Sequence, residues 1–125
     1  SELRAGIERG ELELHYQPIV RLGDGVLDGV EALVRWRHPD RGLVPPAAFI
    51  PLAERSGLIH ALGNWALEEA VGQVRRWESR GLPHLRVSVN VSPMQLAQGE
   101  LDTVVQRVLA EAGLPARQLV LELTE

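Results

Sequence analysis

Two stretches decide the fold: Gly81-Leu-Pro-His-Leu-Arg-Val-Ser-Val-Asn90 and Gly113-Leu-Pro-Ala-Arg-Gln-Leu-Val-Leu-Glu122. Each opens on Gly-Leu-Pro and runs into an apolar segment. A glycine just past a helix closes it in the left-handed region, and a proline beyond cannot continue it. Each stretch therefore reads as the end of a helix followed by a strand. Nine residues after each glycine stands a polar side chain, Asn90 in the first copy and Glu122 in the second. Two such units place both side chains at one height of a sheet.

The segments before them fit. Leu62, Ala66, Ala70, Val74 and Trp77 recur at three or four residues, which predicts a helix over Ile59–Arg80 with one buried face. Leu101, Val104, Val105, Val108, Leu109 and Ala112 predict another, with Asp102 near its start and Gly113 at its end. Helices alternating with strands imply a parallel sheet. The front of the chain differs. A short helix over residues 2–9 leads to a strand over Glu11–Val20, the turn signal Gly23-Asp24-Gly25, and a strand over Val26–Trp36. So short a connection suits an antiparallel hairpin, since a parallel crossover needs about a dozen residues. Residues 37–46 read as a loop, Ala47–Arg55 as a short helix broken by Gly57, and Gln118–Glu125 as a final strand.

Composition narrows the function. The 125 residues are 45% hydrophobic and 24% charged, enough for a core and a soluble surface in one domain. A net charge of −4 excludes a general binder of polymeric nucleic acid, which would be basic. No apolar run reaches the length of a membrane span, so no direct membrane contact is expected. The first residues are not a signal peptide. Without cysteine there are no disulfides or thiolate metal sites, which suits the cytoplasm. All 13 basic residues are arginine, so no step needing a lysine can come from this chain.

The candidate site lies on the strands. Val87, Val89 and Val91 share one face of the strand Arg86–Ser92, while Arg86, Ser88, Asn90 and Ser92 share the other. Either the polar face lines a sheet interior, or this is a solvated edge strand. Glu122 sits inside Leu119-Val-Leu-Glu-Leu123, where an unpaired carboxylate would be costly. Glu31 shares a face with Leu33 and Arg35, so it is either a ligand or half of a Glu31–Arg35 ion pair. Taken together, two carboxylates and an amide are hard oxygen donors suited to Mg²⁺ or Mn²⁺. Sites of β/α barrels also gather at strand C-terminal ends. His15 shares a face with Gln17, but His38, His60 and His84 are scattered without ligand spacing. Trp36, Trp65 and Trp77 read as packing residues. No phosphate loop or nucleophile elbow occurs.

In order along the chain stand Tyr16-Gln-Pro-Ile-Val20, Glu31-Ala-Leu-Val-Arg-Trp36, Phe49-Ile-Pro-Leu-Ala-Glu54, Gly57-Leu-Ile59, Ser88-Val-Asn-Val-Ser92 and Glu122-Leu-Thr-Glu125. This series resembles the EAL domain, the bacterial phosphodiesterase domain acting on cyclic di-GMP, over essentially the whole chain. The resemblance implies a modified TIM-type β/α barrel with an antiparallel first strand, of which residues 1–125 would be the N-terminal half. It implies that Glu31, Asn90 and Glu122 ligate metal and that Gln17 and Arg35 contact the dinucleotide, with Leu33 beside it. Glu125 matches a glutamate that steadies a loop after the next strand. Two Mg²⁺ or Mn²⁺ ions and a linear pGpG product are implied as well.

A β/α barrel typically needs about 250 residues. The family's later motifs, an Asp-Asp pair, a lysine and a further glutamate ligand, are expected beyond Glu125, because this sequence has neither Asp-Asp nor lysine. Three outcomes are therefore open: part of an active phosphodiesterase, a catalytically dead cyclic di-GMP receptor, or a truncated piece that self-associates through an open last strand. The chain alone is expected to be inactive and not a monodisperse monomer. A sensor, a diguanylate cyclase or a membrane anchor is compatible elsewhere in a longer protein.

Overall fold

The computed structural model describes residues 1–124. Helix α1 (Glu2–Glu8) leads into the hairpin of β1 (Leu12–Val20) and β2 (Leu27–His38). Strand β3 (Gly42–Val44) and a 3-10 turn (Pro46–Ala48) precede α2 (Ile50–Ser56) and the long α3 (Ile59–Ser79). Then come β4 (Arg86–Val91), α4 (Pro93–Ala97), α5 (Leu101–Ala112), a second 3-10 turn (Ala116–Gln118) and β5 (Leu119–Leu123).

The sheet order is β1-β2-β4-β5, with β3 on the far part of β2. β1 runs antiparallel to β2, whereas β2, β4 and β5 are parallel. This is an open arc of β/α barrel with a reversed first strand, as the hairpin signal and the repeated helix-to-strand units imply. Gly81 and Gly113 sit at φ +89° and +69°, so the glycines close α3 and α5 as the sequence requires.

Three local expectations need correction. Residues 37–46 are not all loop: Trp36, Arg37 and His38 pair with Val44, Leu43 and Gly42. A three-residue strand has too little alternation to be read, and it exists because β2 extends beyond its parallel neighbours. The final strand begins at Leu119, since Ala116–Gln118 coil into a turn first. Helix α4 was also unmarked by periodicity, although Ser92 and Gln95 form a capping box at its start.

Two apolar clusters hold the arc. In the first, Ala66, Leu67, Ala70, Val71 and Val74 of α3 cover Ala32, Val87, Val89 and Val91, with Leu101 and Val108 of α5 alongside. The valine face of β4 is thus the helix face. The second packs Trp36, Phe49, Ala53, Leu58 and Ile59 against Leu3. Trp36 is a packing residue, as expected: it is 3% exposed, and its indole N–H donates to Glu11 Oε1 at 3.0 Å. Trp65 and Trp77 pack against the core from α3.

The root of β5 is fixed by a buried polar knot. Gln118 Nε2 donates to Glu78 Oε2 at 2.7 Å and to the Leu85 carbonyl at 3.0 Å. Glu78 also meets Arg75 and His84. Burial pushes the Glu78 carboxyl up, but the hydrogen bonds from Gln118, His84 and Arg75 outweigh it and hold the group below its ordinary value.

Candidate functional site

The face of the sheet away from α3 carries the polar residues. β4 lies between β2 and β5, so it is an interior strand and the edge-strand alternative falls. Register then does the placing. Gln17 stands opposite Glu31 across the hairpin, and Ser88 lies beside Glu31 on the parallel side. Asn90 stands beside Glu122, the pairing implied by the Gly-Leu-Pro repeat. Asn90 Nδ2 lies 3.4 Å from Glu31 Oε2, a long and weak hydrogen bond. Glu31, Asn90 and Glu122 therefore come from three adjacent strands onto one face, towards the C-terminal end of the parallel ladder.

Other expected residues sit nearby in different settings. Arg35 makes no ion pair with Glu31; its Nη1 donates to the Val34 carbonyl at 2.8 Å. That disposes of the ion-pair alternative, and among the described residues Glu31 has no cationic partner. Gln17 is exposed on β1, and His15, on the same face, pairs with Glu13 at 3.3 Å. Glu125 lies outside the described residues. His38 is buried and structural: its Nε2 meets Glu2 at 2.6 Å and its Nδ1 accepts from the Asp40 and Arg41 amides.

A cavity of about 340 Å³ opens between the middle of β2, the end of β4 and the helices α2 and α3. Leu33 and Asn90 line it, while Gln17, Glu31, Arg35 and Glu122 do not. Its wall includes three polar residues that had no assigned role, Glu54, Ser92 and Gln95. The Ser92-Pro-Met-Gln95 capping pattern was the signal that could have found two of them.

The EAL domain family model matches residues 1–125. The chain belongs to the EAL domain family. It is 44% identical over 124 residues to the bifunctional diguanylate cyclase/cyclic di-GMP phosphodiesterase MucR of Pseudomonas aeruginosa, covering 99% of this chain and 18% of MucR. It is 43% identical to the cyclic di-GMP phosphodiesterase PdeR of Escherichia coli, covering 100% of this chain and 19% of PdeR. Among solved structures, the c-di-GMP complex of the PaMucR phosphodiesterase superposes with a TM-score of 0.94 at 44% identity. That match covers 99% of this chain and 50% of the solved one.

In this EAL chain the three signature residues do three different things. Glu31 faces Asn90, Ala32 is buried at 4% exposure under α3, and Leu33 lies on the face of Glu31 at the border of the cavity. The donor set suits a hard divalent cation in kind: carboxylate oxygens from Glu31 and Glu122, and an amide from Asn90. The amide offers Nδ2 to Glu31 here, and turned over it offers Oδ1 to a cation. Among the described residues no group of three His, Cys, Asp or Glu side chains gathers, so these two carboxylates and the amide would need further ligands. Among the same residues no helix is long and apolar enough to cross a membrane.

Proposed function

We propose that this chain forms part of the active site of a cyclic di-GMP phosphodiesterase that opens the cyclic dinucleotide to linear pGpG. One observation carries the reading: Glu31, Asn90 and Glu122 converge from β2, β4 and β5, with Asn90 3.4 Å from Glu31 and in register with Glu122. The similarity to MucR, whose solved phosphodiesterase holds c-di-GMP, supports the choice of substrate.

Glu31, Asn90 and Glu122 would hold Mg²⁺ or Mn²⁺. When bound, such a cation neutralises phosphate charge and acidifies water for attack. In the hydrolysis, a water oxygen bonds to phosphorus, one ester P–O bond breaks, and the leaving 3′ oxygen takes a proton. Arg35 and Gln17 would contact the dinucleotide, Arg35 as a fixed cation for its phosphate. Leu33 would give it an apolar surface, and Glu125 would steady a neighbouring loop. The chain spans half of the solved MucR phosphodiesterase, and its sequence lacks lysine and an Asp-Asp pair. The remaining ligands would come from further polypeptide closing the arc over β5, where Val120, Leu121 and Leu123 are exposed. By itself the chain would then be inactive and prone to pair through β5. A cytoplasmic setting fits this substrate.

The test is product analysis on the full protein that carries this chain. Mn²⁺- or Mg²⁺-dependent release of pGpG, abolished by Glu31→Gln, supports the reading. Tight binding of cyclic di-GMP without turnover would replace it with a receptor.

A further inference from the structure

The C-terminal end of β4 is tied down by side chains that have no role in the reading above. Ser92, 5% exposed, is the centre. Its backbone N–H donates to Gln95 Oε1 at 2.8 Å, and its Oγ accepts from the Met94 amide at 3.3 Å. The same hydroxyl donates its proton to Glu54 Oε2 at 2.6 Å, the short distance of a charge-assisted bond. Glu54 stands on α2 and Gln95 on α4. Gln95 is itself 5% exposed and pressed onto α3 at Gly63, where a Cβ would fall 2.0 Å from Gln95 Nε2. One residue earlier, the Val91 carbonyl accepts from both the amide and the hydroxyl of Thr124, at 3.0 and 3.1 Å. The ends of β4 and β5 are thus joined at one point, just beyond Asn90 and just beyond Glu122.

Glu54 borders a cavity whose wall beside it is apolar, with Ile50, Pro51, Ile59 and Leu62, and whose polar lining includes Ser92 and Gln95. A carboxylate on such a wall is costly without a donor, and the Ser92 hydroxyl supplies one. Asn90 is the penultimate residue of β4, where a strand end is free to fray unless something holds it. We propose that Glu54 is a positioning residue: through Ser92 it fixes the end of β4 and so aims the Asn90 amide at Glu31 and Glu122. This rests on the metal-site reading of Asn90, and its test has one arm that does not.

The experiment compares Glu54→Ala and Glu54→Gln with the wild type in the full protein carrying this chain. Glutamine keeps an oxygen that accepts from Ser92. In Glu54→Ala, amides of residues 90–95 exchange hydrogen about tenfold faster or more, the loss of one hydrogen bond to a charged group, while those of Leu67–Val74 in α3 do not change. The Mn²⁺ dissociation constant rises about tenfold or more, as for outer partners of metal ligands, and kcat falls with it. KM for cyclic di-GMP stays within about twofold, and Glu54→Gln restores most of each change. Unchanged exchange over 90–95 in Glu54→Ala overturns the proposal. So does a rise in KM with Mn²⁺ affinity intact, which would make Glu54 a substrate contact. Glu54→Gln as defective as Glu54→Ala overturns it too. If the wild type binds no Mn²⁺, the metal reading fails, and the exchange arm still decides whether Glu54 holds the strand end.

Discussion

Replacing Gln118 with alanine is expected to loosen β5 at its root. Gln118 is 6% exposed, and its Nε2 makes two hydrogen bonds, one to the Glu78 carboxylate and one to the Leu85 carbonyl. A neutral hydrogen bond contributes about 1 kcal/mol net, and one to a charged group about 1.5–3 kcal/mol. Glu78 keeps Arg75 and His84, at 3.2 and 3.1 Å, so its charge is not left without partners. Gln118→Ala is therefore expected to cost about 2.5–3 kcal/mol, the lower part of that sum. Urea unfolding of the intact domain, followed by tryptophan fluorescence, measures it, and Trp77 adjoins Glu78 in the chain. The loss is also pH-dependent. The folded state lowers the Glu78 carboxyl from its ordinary 4.5. Its contribution is present above that value and is lost as pH falls through the lowered one. The gap between wild type and variant is expected to narrow in acid. A loss below about 0.5 kcal/mol at neutral pH, the usual range for a surface change, would mean that Gln118 does not hold the root of β5.

Phe49→Ala removes a ring that is fully buried between Trp36 and the α2 turn, and calorimetry is expected to show a loss of about 3–5 kcal/mol. The Tyr16 phenol is pushed up to about 12, first by burial and then by Glu69. A raised acid group stabilises the fold below its unfolded value and ceases to as pH rises through the folded one. Stability is thus expected to fall between about pH 10 and 12 in wild type and less in Tyr16→Phe, read by melting temperature across that range. Arg35→Ala removes a cation four residues beyond Glu31 on the same strand face. It is expected to raise KM for cyclic di-GMP about tenfold or more, the value of a charged hydrogen bond, with Mn²⁺ affinity held.

How much of this was legible in the sequence depends on length and range. Long elements were plain: the spacing of Leu62, Ala66, Ala70 and Val74 gave α3, and paired Gly-Leu-Pro units gave the matched heights of Asn90 and Glu122. The two faces of β4 were read correctly from its valines. Its place in the sheet stayed open between interior and edge, because that depends on its neighbours, and the structure makes it interior. β3 escaped notice because three residues carry no period, and Arg35 was left open because a strand face does not say where a long side chain turns. Glu54 shows the same limit. Its motif was visible, but its partner Ser92 lies 38 residues away.

Three strands of this chain are taken to build one metal site from Glu31, Asn90 and Glu122. A crystal of the full protein carrying this chain, grown with Mn²⁺ and measured for anomalous scattering, tests it most directly. A peak is expected on the polar face of the sheet, with oxygens of Glu31, Asn90 and Glu122 at roughly 2.0–2.2 Å, the range for small hard divalent ions. Mn²⁺ bound elsewhere, or bound there with Asn90 turned away, would contradict it.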